Sequence, residues 1–469
     1  MLRRARALGV ALALLACEQG GGTPAITVEI VDGEGANPVA GCDGTIEVRV
    51  RHMGEVLSCG GERCIAEIRD GPYALDVPLE TLEGMNEVQV AIEGECGAWI
   101  GAAPPFQVYG EGVDTTGLVR FVVGPPGRCV RLGLSGLVHD GPPRIAPARS
   151  HAAAVVRRNV ALVAGGELPG GGSDDVDRFD MLLFDADPLP SWDGERIGRA
   201  RGLALSEDRS LVVGDVSSWI FERADFQQPR PRRFALHDGA GFSSALVAVA
   251  GGAAVVGGSA SREVTWVGVE GSDEGRSVLR VRRDAPAAAA IGGGVLVVGG
   301  HAAGEAALEW VRRGAESVAI DAPLPEGRGG VLFSSPDGRD ALWIGFEVAG
   351  APSADTYYLR GCGDGACDEV RLGPPWEAPR RDFAHVITQE GTLWLVGGER
   401  DGEGATADVD RLRWDGGTVV IESDVALDAP RAGAAIFEHA SGIVTVVGGR
   451  AGEPRNDAEM CFPPALDPL

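Results

Sequence analysis

The sequence predicts an all-β protein: seven repeats of a four-stranded sheet, preceded by a smaller two-sheet domain. Three observations predict it. Glycine is abundant, 71 of 469 residues, and 29 prolines are spread along the chain; such a composition suits many short strands and turns better than helices. Short apolar runs ending in glycine return with a period of about 47 residues. Those runs do not alternate, as in Val295-Leu296-Val297-Val298, so both of their faces must be buried.

With 44% apolar residues the chain can build substantial cores, and its length suggests two or more units. The net charge is −26, and all 42 basic residues are arginine. With the excess of Ala, Gly and Pro, this usage fits a G+C-rich bacterial coding sequence. The acidic balance excludes a general nucleic-acid binder, because phosphate would be repelled.

Residues 1–16, MLRRARALGVALALLA, place Arg3, Arg4 and Arg6 ahead of a short apolar segment from Ala7 to Ala16. That segment is too short for a permanent span and reads as an export signal. Leu14-Leu15-Ala16-Cys17 resembles the lipobox of bacterial lipoproteins. The resemblance implies cleavage before Cys17, lipid (palmitate among the acyl chains) on Cys17, and a place in the cell envelope at the outer membrane. Residues 17–23 form a flexible tether rich in glycine.

Eight cysteines remain, an even number, which in an exported protein reads as four disulfides. Cys362 and Cys367 flank Gly363-Asp364-Gly365-Ala366 and are expected to close a small loop. Cys42, Cys59, Cys64 and Cys96 allow three pairings, and the sequence does not choose among them.

Residues 24–124 carry short alternating segments at Ile26–Val31, Thr45–Val50, Ala74–Val77 and Glu87–Ile92, bounded by turn residues. Period-two alternation means half-buried strands. About a hundred residues of them suit a small β-sandwich, loosely similar to immunoglobulin-like modules of bacterial surface proteins. Gly124-Pro125-Pro126-Gly127 marks the boundary.

From residue 144 each repeat has a small-residue strand, a turn, an apolar strand, a diglycine or its remnant, a polar loop and a strand bearing an aromatic residue. The first glycine of each exit falls at positions 165, 214, 257, 299, 345, 397 and 448. A blade of a β-propeller is covered by a neighbour on either side, which meets the need for two buried faces. Glycine at the exit lets the chain turn where a side chain would clash.

Pro147-Ala148-Arg149-Ser150-His151, Gly165-Gly166 and Asp175-Val176-Asp177-Arg178-Phe179 resemble the kelch repeat. Unit six repeats them with Arg381, Gly397-Gly398 and Asp408-Val409-Asp410-Arg411-Leu412, and unit seven with Pro430-Arg431 and Gly448-Gly449. Units two and five depart, with Gly214-Asp215 and Gly345-Phe346. The resemblance implies a seven-bladed kelch-like propeller over residues 128–462, with 463–469 as a tail. The last unit ends after its third strand, at Met460-Cys461-Phe462. The strand starting at Cys129 is expected to complete that blade, leaving no open edge and setting Cys129 beside Cys461 as a disulfide.

No catalytic set emerges. No G-x-S-x-G elbow or P-loop is present, and the seven histidines do not fall at metal-ligand spacing. His151 is expected to pack. Copper-radical oxidases also use a kelch propeller, but Tyr357 and Tyr358 are adjacent and are the only tyrosines in the repeats. Ser335-Pro336-Asp337-Gly338 is similar to a sialidase Asp-box with its glycine one residue early, and reads as a hairpin turn. Asp174-Asp175-x-Asp177 and Asp401-x-Glu403 carry the oxygen ligands that suit Ca²⁺, although solvated turns are the simpler reading. No cofactor and no metal are expected.

Strand alternation puts the loop after each second strand and the crossover to the next unit on one face. Glu167, Asp215, Ser259, His301, Glu347, Glu399 and Arg450, with Arg149, Arg381 and Arg431, form the expected partner-binding ring on it. The sequence therefore predicts a lipid-anchored envelope protein, not an enzyme, whose propeller binds an envelope protein or glycan. The alternatives are a carbohydrate-active or other enzyme using the central channel, and a passive structural element.

Overall fold

In the apolar strand Val160–Ala164 every residue is buried, and the same holds at Gly252–Val256, Gly294–Val298, Leu393–Val396 and Ile443–Val447. Successive side chains of a strand point to opposite faces, so each of these runs fills two cores at once. Ala161 and Val163 pack with Ile443 and Val447, whereas Leu162 and Ala164 pack with Val212 and Trp219. Burying one such aliphatic side chain contributes about 1.5–3 kcal/mol, and a polar residue on either face would forfeit it.

The computed structural model describes residues 27–39, 42–52, 55–57, 65–67, 74–75, 84–109, 112–113, 118–136, 141–189, 196–222 and 231–466. Its elements are strands, and the repeat region holds seven antiparallel sheets with a four-stranded core, one of which carries a short extra strand. The first consists of Ala153–Arg157, Val160–Ala164, Val176–Asp180 and Asp185–Pro188 in that order. The later sheets begin at Ala200–Ser206, Ala245–Val249, Ala287–Ile291, Gly327–Ser334, Ala384–Ile387 and Ala435–Ala440. Small residues in these first strands let neighbouring sheets approach closely.

Each sheet shares one apolar cluster with the next. Leu211 and Val213 meet Ala253 and Val255, and Ala254 and Val256 meet Val295 and Val297. Leu296 and Val298 meet Leu332 and Trp343. Leu342 and Ile344 meet Leu393 and Leu395, and Trp394 and Val396 meet Val444 and Val446. The seventh sheet packs back on the first. This is a β-propeller-like arrangement.

The seventh sheet takes its outer strand from in front of the repeats. Cys129–Arg131 pairs antiparallel with Ala458–Cys461, with Cys129 directly opposite Cys461, and the two are joined in a disulfide. Cys362 and Cys367 are likewise bonded, as are Cys42 and Cys96. Cys59 and Cys64 lie outside the described residues, as do the signal segment, Cys17 and the tether.

The N-terminal unit has two sheets. One orders Ala74–Leu75, Thr27–Val31 and Leu118–Val122, the last two parallel. The other is built on Gly44–His52, Gly84–Gly94 and Gly97–Tyr109. Ile30 and Phe121 from the first share a core with Val48 and Val90 from the second. The 13-residue strand Gly97–Tyr109 goes unread in the sequence because Ala, Gly and a Pro pair break its apolar alternation. The unit is docked on the repeats: Ile100, Ala102 and Val122 join Phe437 and Phe462 in one cluster. Among the described residues no helix is long and apolar enough to cross a membrane.

Candidate functional site

The first strands of the sheets converge on an axis, and two cavities lie along it. One, of about 270 Å³, lies among His151, Arg201, Phe242, Arg328, Glu347 and His385. The other, of about 370 Å³, lies at the opposite end, where Arg51, Glu87, Ala103 and Pro105 of the N-terminal unit contribute its wall. Ala154, Gly202 and Ile436 line both, so the two cavities adjoin. The N-terminal unit borders one end of this axial channel, and the other end is its mouth.

Backbone hydrogen bonds run from sheet to sheet around the mouth. Gly433 N–H donates to Asp382 O (2.7 Å), His151 N–H to Gly433 O (2.6 Å), and Ala200 N–H to His151 O (2.8 Å). The chain takes a positive φ at this position: 58° at Gly433, 54° at His151 and 52° at Asp382. Glycine adopts that region freely, whereas each non-glycine residue there costs about 1–2 kcal/mol. His151 and Asp382 therefore hold strained backbone beside one cavity. Their side chains approach each other, Nε2 to Oδ1 at 3.9 Å, and Glu167 lies 3.5 Å from His151 Nδ1. The His151 ring, then Arg450 and Arg381, hold the Asp382 carboxyl below its ordinary value against the effect of burial. The expected packing role of His151 is only part of its setting, since its ring also faces the cavity and stands edge-on to Phe242.

Ion pairs surround the mouth. Arg450 bridges Asp382 (3.1 Å) and Glu399 (2.8 Å), Arg199 meets Asp215 (2.7 Å), and Arg328 meets Glu347 (3.4 Å). Arg381 lies between Glu399 and Asp401. The predicted ring is thus brought together in part. Glu347 and Arg381 line the cavity, and Glu167, Asp215, Glu399 and Arg450 belong to its rim. Ser259 is exposed. His301 lies apart, in a separate recess with Glu305 and Glu326, where burial and Arg283 lower its imidazole below the ordinary value.

Arg149 and Arg431 are corrections. Neither has any exposed surface. Arg149 pairs with buried Asp177 at 2.5 Å and donates to Val163 O, while Arg431 pairs with buried Glu459 and donates to Gly448 O. The same device recurs as Arg283 with Glu309 (2.6 Å) and Arg380 with Asp410 (2.6 Å). In unit six it is Arg380, not Arg381, that turns inward. In each case an arginine just ahead of a first strand reaches a carboxylate on the third strand of the same sheet. In the first and sixth sheets that inner carboxylate is the second Asp of Asp-Val-Asp, whereas Glu309 and Glu459 carry no such pattern. In the third sheet His237 takes the place, with Nε2 2.8 Å from Gly257 O and Nδ1 2.7 Å from Thr265 Oγ1. Desolvating a lone guanidinium would cost several kcal/mol, and the carboxylate offsets it.

In the acidic loops considered for Ca²⁺, most carboxylates have partners within the chain. Asp177 faces Arg149, Asp175 takes the Ser173 hydroxyl, Asp401 faces Arg381 and Glu403 faces Arg400. Among the described residues no group of three or more His, Cys, Asp or Glu is placed to hold a metal ion. Ser335 and Asp337 form the expected turn, Gly338 N–H donating to Ser335 O at 2.9 Å.

No family model matches the chain, and no curated protein matches it. Among solved structures it is similar to one described as a novel fungal alcohol oxidase with catalytic diversity among the AA5 family, in complex with copper. The two are 14% identical, with a TM-score of 0.54, over 69% of this chain and 76% of that one. A second similar structure is that of YjhT, at 11% identity and TM-score 0.40, over 68% of this chain and 95% of that one. The first likeness concerns the fold alone. The described residues do not fit a copper-radical centre. Tyr357 and Tyr358 lie on the third strand of the fifth sheet, where the Tyr358 hydroxyl accepts from Val419 N–H. All six described cysteines are bonded to one another.

Proposed function

We propose that the chain is a seven-bladed kelch-like propeller, exported and held at the cell envelope by lipid on Cys17, that binds an envelope protein or glycan at the mouth of its channel. The observation that carries this reading is the mouth cavity, on the axis and lined by charged and aromatic side chains from several sheets, which is where repeat folds concentrate function. Seven sheets of four core strands, each packed on the next, support the blade number. The recurring buried arginine–carboxylate pairs beside diglycine exits support the kelch-like repeat. Three disulfides support an oxidising compartment.

The test compares capture from envelope extract by the wild-type chain and by variants. Glu347→Arg and Arg450→Glu should abolish retention of a captured component, whereas Leu372→Ser, on an exposed outer strand, should leave it intact. Equal capture by all four defeats the reading. Cys17→Ser should release the protein from the membrane fraction and remove labelling by palmitate.

One observation favours the enzyme alternative, namely the strained His151 and Asp382 facing each other at the cavity. Strained non-glycine backbone gathers at functional sites. Turnover of envelope saccharides that is lost in His151→Ala and Asp382→Asn would establish it.

A further inference from the structure

Charge balance in the mouth cavity leaves Arg201 over. Glu347 has Arg328, Asp382 has Arg450 and His151, and Arg381 has Glu399 and Asp401. Arg201, on the first strand of the second sheet, also lines the cavity. Among the described residues no carboxylate lies within ion-pair reach of it and no hydrogen-bond acceptor is set against it. Its one assigned contact is the Phe242 ring, 5.2 Å from the guanidinium carbon. Enclosure in the channel works against its charge, and burial first, then the Arg201 charge, lower the imidazole of His385. The guanidinium is half-buried in the cavity without a counter-charge, and a carboxylate presents two oxygens at the spacing of its N–H fork.

Resting on the mouth as the binding site, we propose that Arg201, with Phe242 beside it and His385 facing the same cavity, is the receptor for the carboxylate of a small organic acid. Size and charge both set the class. The cavity, at about 270 Å³, falls just below the range of roughly 300–1,000 Å³ that holds drug-sized ligands, which suits a single ring. The rim carries Glu167, Asp215, Glu399 and Asp401 beside Arg199, Arg381 and Arg450, and the whole chain has a net charge of −26. That field repels a polyanion, whereas a single carboxylate can pass the rim and reach the one uncompensated cation inside. Phe242 offers a ring face for an apolar or sugar-ring body.

The experiment measures binding of benzoate and D-glucuronate to the whole chain by calorimetry, with benzamide and methyl glucuronate as uncharged controls. The acids should bind with a Kd of about 1 mM or tighter, and the controls about tenfold more weakly or worse. Arg201→Gln should lose at least about tenfold in affinity for the acids, Arg201→Lys should keep part of it because the charge stays, and Arg312→Gln, on an exposed pair with Asp364, should change nothing. Unchanged cooperative unfolding of the Lys variant keeps the comparison valid if the Gln variant folds poorly. Equal binding of acids and controls, no binding of any probe, a preference for heparin over both acids, or full affinity in Arg201→Gln overturns the proposal. Should that happen while Glu347→Arg still abolishes capture from extract, the mouth remains the binding site and only the carboxylate receptor falls.

Discussion

The Arg380 guanidinium lies 2.6 Å from the Asp410 carboxylate, and neither side chain is more than 1% exposed. The same guanidinium donates to Gly397 O and Leu395 O, and Trp376 Nε1 donates to Asp410 at 2.7 Å. The pair therefore fastens the crossover into a sheet to that sheet's second and third strands. Arg149–Asp177, Arg283–Glu309 and Arg431–Glu459 repeat the arrangement in three other sheets.

Removing one partner of such a pair leaves the other buried and uncompensated. Arg380→Met and Asp410→Asn should each cost about 3–5 kcal/mol of stability. The double variant should cost clearly less than the sum, because no charge is stranded. Urea denaturation of the three variants measures this, and additive losses would deny the coupling.

The Cys129–Cys461 disulfide spans 332 residues. In the chain-entropy treatment a bond across so long a loop contributes about 6 kcal/mol by restricting the unfolded chain. Cys129→Ser with Cys461→Ser should lower the denaturation midpoint while the strand pairing keeps the native spectrum. Loss of the short-loop pair Cys362 and Cys367, five residues apart, should lower it by less.

Gly397 has φ +60°, and a Cβ there would sit 2.1 Å from Arg431 O. Gly402 has φ +77°, and a Cβ there would meet nothing within 4 Å. Gly402→Ala should cost about 1 kcal/mol, the conformational penalty alone. Gly397→Ala adds a clash with backbone and should cost several times as much. Equal thermal shifts for the two would refute the need for close approach at the exit.

His439 is 3% exposed, stacks on Phe184, and its Nδ1 has no hydrogen-bond partner among the described residues. Burial pushes its imidazole down to about 3. The folded state thus keeps it neutral while the unfolded chain takes a proton below about 6.5. Its contribution to stability is complete above that pH and is lost as the pH falls from about 6.5 toward 3, by up to ~1.4 kcal/mol per unit. His439→Phe should flatten this part of the stability–pH curve relative to the wild type, and an unchanged slope would show that the ring protonates freely.

What the sequence conveyed well was periodicity. Val295-Leu296-Val297-Val298 reads as buried on two faces because no single-faced strand tolerates such a run, and the structure fills both faces. Cys129 was placed beside Cys461 by counting strands, since a unit ending on its third strand needs another from elsewhere. The site was less legible. Arg149 and Arg431 look like surface residues ahead of a strand, and whether such a side chain turns inward depends on a carboxylate some 28 residues later. Arg380 and Arg381 are adjacent and opposite in fate, because neighbouring residues at a strand entry point to different sides. Arg201 carried no motif. Its interest arises from which other charges the fold brings near it, and spacing along a chain does not encode that.

Cys129 is made 332 residues ahead of its partner Cys461. All seven repeats must be made before the edge of the seventh sheet is covered. Until then, both ends of the array offer unpaired backbone to any neighbouring chain. A product cut short before Ala458 would keep those edges for good, so quality control during synthesis bears on that one strand more heavily than on any other stretch of similar length.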